Sequence, residues 1–370
     1  MEYLLNTYLD FNATAPLQEG AREAMIAAMD QLGNPSSVHR WGRESRRLLE
    51  TARRQIAGFA GAGAAQVVFT SGGTEANALA LSQAPRTRRA VSAMEHPSVL
   101  AHAEPEQWLA VGPDGVIDLG RLEQRLATGA IDLISVMAAN NETGVIQPLD
   151  DVIRLAQVHG VRVHVDAVQA LGKIPLDFQS LGADYMSLSA HKIGGPAGIG
   201  ALLVRGGLEV TPLLVGGGQE SRRRAGTENL VGIAGFAAAV EGMARRDGWT
   251  ANCARLRDDL ESGLRAIASD VVIFGESAPR LANTSCFALA GLNAETQLMA
   301  LDLAKVAVSA GSACSSGKVA ASHVLQAMGA PEPLTRAALR VSLGWSSQRH
   351  DIDRFLEAWQ AHVAQVLCPH

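Results

Sequence analysis

The sequence is poor in the features that mark disulfide-rich, zinc-binding, membrane and nucleic-acid-binding proteins. Four of its 370 residues are cysteine, with no Cys-x-x-Cys pair, which argues against a disulfide framework or zinc site and for a reducing compartment. No apolar run is long enough to cross a membrane, and the N terminus lacks the pattern of a signal peptide. A net charge of −5 does not indicate the basic surface that nucleic-acid-binding proteins carry. We therefore expect a cytoplasmic protein without a metal, bound to neither membrane nor nucleic acid.

The chain alternates short apolar runs with longer amphipathic patterns through its first two thirds. Runs such as "AQVVFT", "VRVHVDA" and "IGALLVR" are typical of buried strands, whereas "LDDVIRLAQVHG" carries apolar residues at helical spacing. This alternation predicts an α/β fold with helices on a mostly parallel central sheet. Because 370 residues exceed one ordinary core, we expect a large α/β domain over residues 15–250. Residues 1–14 and 251–370 would form a smaller α+β domain that carries the loop around Cys314.

Two motifs stand where predicted strands end, which is the edge at which such sheets bind ligands. In "VVFTSGGTEANALAL", a glycine turn precedes a helix that opens near Gly73 and Thr74. The turn is either a phosphate site built from free N–H groups or a plain helix cap. In "VHVDAVQALGK", Asp166 precedes Gln169 by three residues. This aspartate is either a helix cap or a buried carboxylate that keeps the pyridine nitrogen of pyridoxal phosphate protonated.

A lysine follows another predicted strand in "SLSAHKIGGPAG". Lys192 is either a surface lysine with its amine in solvent or an amine that forms a Schiff base with an aldehyde. Its neighbours Ser189 and His191 could bind a phosphate. His96, in "SAMEHPSVL", could stack on a planar cofactor or simply begin a helix.

Two further motifs allow a structural or a functional interpretation. Asn140 and Asn141 in "AANNETGVIQP" follow a predicted strand and are typical of a turn. The arginines of "GGGQESRRRAGTENL" precede Thr227, and the segment is either a solvated loop or a loop that closes over an anion.

Cys314 differs from the other cysteines because its surroundings, "SAGSACSSG", consist of Ser, Gly and Ala. Nothing in that stretch could bury the thiol. A cysteine on an exposed, flexible loop is a candidate nucleophile when a neighbouring base or cation makes it a thiolate. Cys286 in "NTSCFAL" is interpreted as a small buried hydrophobic residue, and Cys253 and Cys368 show no partner that would give them a role.

Ten motifs in order along the chain resemble those of the class V, fold-type I pyridoxal-phosphate enzymes, and specifically the cysteine desulfurases of the NifS and IscS type. They include "YLDFNATAP", "GNPSSVHRWG", "NNETGVIQP", "SAHKIGGPAGIGAL" and "LRVSLG", and they extend over essentially the whole sequence. The resemblance implies a fold-type I transferase, pyridoxal 5′-phosphate as cofactor, L-cysteine as substrate and a homodimer.

The resemblance also implies a role for each cofactor-binding position. Lys192 would carry the covalent link to the cofactor and move the proton, Asp166 would pair with the pyridinium nitrogen, and His96 would stack on the ring. Gln169 would bond the ring oxygen. Thr227 would reach the phosphate held by the second subunit. The phosphate would be bound within the chain by four residues, namely Gly73, Thr74, Ser189 and His191.

For the reaction, the resemblance implies that Asn141 and Arg340 orient the substrate carboxylate, which suits the two-pronged guanidinium of arginine. Cys314 would attack the substrate sulfur and keep it as a persulfide, alanine would leave, and a sulfur-acceptor protein would collect the sulfur for iron–sulfur clusters or thio-cofactors. The sequence leaves open a selenocysteine lyase, another lyase that uses the same cofactor, or an inactive paralogue that serves as a scaffold.

Overall fold

The computed structural model describes residues 7–311 and 321–367, so Cys314 and Cys368 lie outside the described residues. The strands are β1 (Thr7–Tyr8), β2 (Val67–Thr70), β3 (Arg89–Ser92), β4 (Trp108–Leu109), β5 (Leu133–Ser135), β6 (Arg162–Asp166), β7 (Tyr185–Ser189), β8 (Gly200–Val204), β9 (Val272–Ile273), β10 (Thr284–Ala288), β11 (Val306–Ala307), β12 (Ser309–Ala310) and β13 (Leu339–Ser342). The helices are α1 (Glu19–Met29), α2 (Arg40–Phe59), α3 (Gly73–Leu81), α4 (Pro97–Leu100), α5 (Leu119–Leu126), α6 (Leu149–Val158), α7 (Phe178–Leu181), α8 (Leu230–Ala244), α9 (Trp249–Ile267), α10 (Ala294–Leu303), α11 (His323–Ala327), α12 (Glu332–Ala337) and α13 (Arg349–Leu367).

Seven strands form the central sheet in the order β2-β8-β7-β6-β5-β3-β4. The strands from β7 to β4 are parallel, and β8 runs antiparallel to both of its neighbours. Every residue of β7 and β8 is buried, because helices cover both faces of such a sheet and its strands become continuous apolar runs. The predicted α/β fold with a mostly parallel central sheet is therefore confirmed.

Helices pack on the sheet through the apolar stripes that the sequence shows. In α6, Val152, Ile153 and Ala156 are buried, as their spacing of one, three and four residues requires for one helix face. Helix α8 is apolar on most sides because it packs against both α1 and α2. None of the helices within the described ranges is both long and apolar enough to cross a membrane.

A histidine joins three strands of the sheet beneath the predicted site. The two ring nitrogens of His164 lie 2.8 Å from Ser135 Oγ on β5 and 2.9 Å from Ser187 Oγ on β7. Complete burial lowers the pKa of His164 to about 3, because the charged ring would lose its hydration. A neutral, hydrogen-bonded histidine thus fixes the register of the strand that ends at Asp166.

A smaller antiparallel sheet, in the order β12-β13-β10-β9, lies in the last third of the chain. Strand β1 pairs in parallel with β11, which brings the start of the chain to this part. Phe287, Phe355 and Trp359 pack edge to face in a separate core. These features support the division into two domains, which we retain as a proposal. Cys286 is completely buried there, as predicted, and Cys253 is buried as well.

Candidate active site

A cavity of about 340 Å³ opens where β6 and β7 end, at the carboxyl edge of the central sheet. Ten of the twelve predicted site residues line it: Gly73, Thr74, His96, Asn141, Asp166, Gln169, Ser189, His191, Lys192 and Arg340. Of the other two, Thr227 does not line it, and Cys314 lies outside the described residues. The lining also includes three polar residues that the sequence analysis did not select, namely Asn12, Asn77 and Ser98.

A larger and more open cleft of about 920 Å³ lies between residues 146–151, 171–177 and 246–250. None of the eleven predicted site residues that the structure describes lines it. Size therefore does not identify the functional site in this protein. The convergence of titratable and hydrogen-bonding groups in the smaller cavity does.

Lys192 reaches the cavity from a short 3₁₀ turn, Ala190–Ile193, that follows β7 directly. Its Nζ donates to the backbone oxygens of Asn12, at 2.6 Å, and Ala13, at 2.8 Å. The turn ends at Gly194, which has a φ of +77°, and a Cβ there would come within 2.8 Å of the backbone oxygen of Pro16. Glycine is required at that position, so the sequence "HKIGG" fixes where the lysine amine stands.

Asp166, the last residue of β6, is buried and held from two sides. Its Oδ2 accepts a hydrogen bond of 2.8 Å from Asn77 Nδ2, and its Oδ1 accepts one of 3.0 Å from the backbone N–H of Val168. Asn77 lies one turn into α3, which begins at Gly73. The carboxyl group is therefore oriented by groups from two neighbouring elements.

His96 caps the N terminus of α4 with its ring. The backbone N–H of Ser98 donates to His96 Nδ1 at 3.1 Å, so Nδ1 is an acceptor and the ring proton is assigned to Nε2. Burial lowers the pKa of His96, with the charges of Lys192 and His323 acting in the same direction and that of Asp166 opposing them. The ring is therefore neutral at neutral pH, which suits a planar group that stacks on a cofactor.

A chain of hydrogen bonds connects this histidine to Asp166. Ser98 Oγ lies 2.8 Å from His96 Nδ1 and accepts from Asn77 Nδ2 at 3.0 Å. The amide of Asn77 thus contacts both the serine and the carboxylate. Two groups predicted to lie on one cofactor ring are held by the same side chain.

The N terminus of α3 also lines the cavity, through Gly73 and Thr74. A Cβ on Gly73 would lie 2.9 Å from Val168 Cγ2, so a larger residue would crowd the space in front of the helix start. Ser189 and His191 stand beside it. Burial, together with the charge of Lys192, lowers the pKa of His191 to about 4, and its Nδ1 lies 2.7 Å from Thr14 Oγ1. Free N–H groups at a helix start favour an anion such as a phosphate.

Arg340, on β13, brings the small sheet to the cavity. Its Nη2 donates to Asp10 Oδ1 at 2.7 Å, and its Nη1 donates to the backbone oxygen of Asn141 at 2.9 Å. The side chain is 2% exposed, and its Nε has no partner among the described residues. Nη2, one of the two terminal nitrogens that would bind a substrate carboxylate, therefore already forms an ion pair with Asp10.

Thr227 is exposed in the segment that follows three arginines. This segment is not a solvated loop throughout, because Arg224 donates to Glu75 at 2.8 Å and Arg223 donates to the backbone oxygen of Ala65 at 2.9 Å. Glu220 is buried and forms a bidentate pair with Arg53 at 2.7 Å for both contacts. The loop is therefore anchored to α2 and α3, and Thr227 does not line the cavity of its own chain.

Four polar residues that the structure describes at the predicted site were missed, namely Asn12, Asn77, Ser98 and Lys173. Two of them carried a periodic signal: Asn77 lies four residues after Gly73, and Lys173 lies four residues after Gln169. Residues four apart on a helix or helical turn share a face. Asn12 had no such signal, because it reaches the cavity through the pairing of β1 with β11 at the other end of the chain.

Comparisons with known proteins agree with this geometry. The profile of the family described as aminotransferase class-V matches residues 7–355. A protein named cysteine desulfurase IscS from Dictyoglomus turgidum is 38% identical, with 97% of this chain and 95% of the relative covered. An IscS-like cysteine desulfurase from Mycobacterium tuberculosis is 40% identical over 97% and 96%.

Solved structures give the same result. The X-ray structure of a NifS-like protein from Rickettsia africae superposes with a TM-score of 0.90 at 34% identity, covering 96% of this chain and 99% of that one. A protein named SspA, solved in complex with cysteine, superposes with a TM-score of 0.79 at 29% identity over 91% and 99%.

Members of the class-V family depend on pyridoxal phosphate, and the cavity fits this group. It offers a lysine amine, a carboxylate that is held in place by two donors, and a helix start whose glycine leaves room for an anion. These groups stand at the strand ends where the cofactor of such a fold is expected. The chain belongs to the aminotransferase class-V family of pyridoxal-phosphate enzymes.

Proposed function

We propose that the protein is a cysteine desulfurase, which converts L-cysteine to L-alanine and leaves the sulfur as a persulfide on Cys314. The observation that carries this proposal is the convergence of Lys192, Asp166 and His96 in one cavity, in a chain whose curated relatives are named cysteine desulfurases.

Each end of the cavity has a distinct part in holding the cofactor. Asp166 would face the pyridine nitrogen, His96 would lie against the ring and Gln169 would donate to the ring oxygen. The phosphate would occupy the start of α3, in contact with Gly73, Thr74, Ser189 and His191. When bound, pyridoxal phosphate supplies an electron sink that weakens the bond between Cβ and sulfur of the substrate.

The protein's own groups then move protons and one sulfur atom. The Nζ of Lys192 would form the covalent link and carry a proton between the substrate and a carbon of the cofactor. Asn141 and Arg340 would hold the substrate carboxylate. The thiolate of Cys314 attacks the substrate sulfur, so an S–S bond forms while the C–S bond breaks. The electron pair of that bond stays with carbon, which takes up a proton and leaves as alanine, so the transfer needs no external oxidant.

We further propose a homodimer in which Thr227 completes the phosphate site of the partner. Two neighbouring stretches of this chain expose large apolar side chains, which are Met29, Leu32, Val38 and Trp41 in one and Leu213, Leu214 and Val215 in the other. One surface cavity joins the two stretches, because it is lined by Pro35 and Ser36 within the first and by Gly218 and Gln219 just after the second. A contiguous exposed apolar patch is typical of a protein interface.

In this proposal the sulfur passes to an acceptor protein. The acceptor supplies it to the assembly of iron–sulfur clusters or thio-cofactors. A reducing cytoplasm is the compartment proposed, because the cysteine pattern fits it and a cysteine that must act as a thiolate needs to stay reduced.

The first experiment measures alanine and sulfide released from L-cysteine by the purified, cofactor-loaded protein with a thiol reductant. We expect equal amounts of both products. Replacing Cys314 with alanine should abolish sulfide release, and a Cys368→Ala control should retain it.

Three results would contradict the proposal. A loaded protein that releases neither product acts on another amino acid. A Cys314→Ala variant that keeps full turnover on L-cysteine does not use that thiol, and one that keeps turnover on selenocysteine alone while the unaltered protein ignores L-cysteine is a selenocysteine lyase.

A further inference from the structure

Lys173 is a buried lysine outside the predicted set of site residues. It is 9% exposed, and no carboxylate within the described ranges lies close enough to form an ion pair with it. Its Nζ donates instead to two neutral amide oxygens, Gln169 Oε1 at 2.6 Å and Asn12 Oδ1 at 2.7 Å. Because burying an amine without a counter-ion is costly, such an arrangement needs a reason beyond packing.

Lys173 has enough donors for both acceptors in either protonation state. Burial lowers the pKa of Lys173 well below its usual range, and the charges of Lys192 and Arg340 lower it further. A neutral amine still carries two N–H groups, and an ammonium carries three. Both amide oxygens therefore keep their hydrogen bonds whichever form is present.

These contacts distinguish the oxygen end of the Gln169 amide, Oε1, from its nitrogen end, Nε2. The backbone oxygen of Asn12 can only accept, and it takes a hydrogen bond of 2.8 Å from Gln169 Nε2. Lys173 holds the Oε1 end from the other side. Without Lys173, the carbonyl end would lose its donor, and the single contact of Nε2 with Asn12 would hold the amide less firmly.

We propose that Lys173 is a positioning residue, which holds the amide of Gln169 so that an N–H of Nε2 is available to an electron-rich oxygen of the cofactor. Gln169 lines the cavity and Lys173 does not, so the lysine acts through the glutamine. The inference rests on the proposed function, because it assumes that pyridoxal phosphate occupies the cavity with its ring oxygen near Gln169.

The same lysine connects the cofactor site to the small sheet. Asn12 Oδ1, its second acceptor, also accepts from Asn283 Nδ2 at 3.1 Å, and Asn12 Nδ2 donates to Thr284 Oγ1 at 2.9 Å. Asn12 thus keeps contacts of its own when Lys173 is changed, whereas Gln169 Oε1 loses the donor that the structure gives it.

The test is a double-mutant cycle on cofactor affinity. The dissociation constant of pyridoxal phosphate is measured by titrating the apo-protein, for the unaltered chain, Lys173→Met, Gln169→Ala and the double variant. Methionine keeps the length of the lysine stem and removes the donors. We expect Lys173→Met to weaken affinity about tenfold, the usual size for a lost hydrogen bond at a charged site. In the Gln169→Ala background its effect should be less than about twofold.

The visible absorbance of the bound cofactor as a function of pH provides the second readout. Lys173→Met and Gln169→Ala should shift its titration midpoint in the same direction, because the first loosens the donor to the ring oxygen and the second removes it. A purely structural lysine would leave the midpoint unchanged. Should the methionine variant fail to fold, Lys173→Arg, which keeps donors, is carried through the same cycle and should retain affinity within about threefold.

An equal loss in both backgrounds, or an unchanged midpoint, would overturn the inference. The proposed function is judged separately, by cofactor binding and alanine release in the unaltered protein. If these are present while the cycle is additive, the desulfurase assignment stands and the role of Lys173 is wrong.

Discussion

Two regions hold their functional side chains by different means. One is the floor of the cavity, which is formed by the ends of β6 and β7, and the other is the loop over residues 216–229. On the floor, Asp166 ends β6 and Lys192 follows β7, and both strands are held by ladders of backbone hydrogen bonds. In the loop, Glu220, Ser221 and Arg222 have φ values of 48°, 56° and 65°, a left-handed conformation that costs a non-glycine residue about 1–2 kcal/mol. The floor is set by the sheet, whereas the loop depends on side-chain contacts that outweigh its backbone strain.

The contacts that hold the loop come from residues distant in sequence. Glu220 accepts from both Nη atoms of Arg53, 167 residues away, and from the backbone N–H of Phe69 at 2.9 Å. The guanidinium of Arg53 also stands 4.7 Å over the ring of Phe69. The comparison therefore predicts chemical defects from changes on the floor and structural defects from changes at the base of the loop.

The largest effect is expected for Lys192→Ala. Removing the amine should lower alanine release at least about 10⁴-fold and abolish the visible absorbance of the linked cofactor, with little change in unfolding free energy. Lys305→Asn is the matched control, because Lys305 is exposed and asparagine tolerates its φ of 62°. Steady-state kinetics and an absorbance spectrum decide the matter. Turnover by Lys192→Ala close to that of the control would remove this lysine from the mechanism.

Glu220→Ala should have the opposite profile. It removes the bidentate partner of the buried guanidinium of Arg53, which keeps a longer ionic contact of 3.3 Å with Glu50. The expected cost is up to about 3–5 kcal/mol of unfolding free energy, a large part of the total stability of a domain. Urea unfolding followed by circular dichroism measures the loss. Glu104→Ala, which breaks an exposed pair with Arg86, should cost less than about 1 kcal/mol. Similar losses in the two variants would mean that Glu220 is not the anchor of the loop.

The floor should in turn be sensitive to acid through His164. Its pKa is about 3 in the folded chain against about 6.5 for a free histidine. Because the folded state disfavours the charged ring, this contribution to stability is complete above pH 6.5 and is lost as the pH falls toward 3. Between pH 6.5 and 4.5 the loss is about 2–3 kcal/mol.

Unfolding free energies at several pH values test this expectation. His164→Asn should show a shallower decline on the acid side than the unaltered protein, and His159→Asn, at an exposed position, should show the same decline. If the slope of His164→Asn matched that of the unaltered chain, the buried ring would not be the group that titrates.

The same contrast explains how much the sequence could predict. The strand-end positions of Asp166, Lys192 and Ser189 followed from apolar periodicity and glycine turns, because both are local signals. The anchoring of Glu220 by Arg53 and the contacts of Asn12 were not predictable in this way, because each joins segments that lie more than 100 residues apart. The arginine-rich stretch shows the limit most clearly: its composition suggests a solvated loop, whereas Arg223 and Arg224 bind protein groups.

The smallest effect on cofactor affinity is expected at Thr227, which would reach the phosphate site of a second subunit. Thr227→Ala should weaken pyridoxal phosphate about fivefold, since one hydrogen bond to a charged phosphate is lost among several. Mixed dimers separate a contact within the chain from one between chains. When a Thr227→Ala chain pairs with a Lys192→Ala chain, the cavity that keeps Lys192 receives an intact threonine from the other subunit. That cavity should bind cofactor as tightly as the unaltered dimer. If it bound as weakly as the Thr227→Ala homodimer, the threonine would act within its own chain and the loop would not complete the site of its partner.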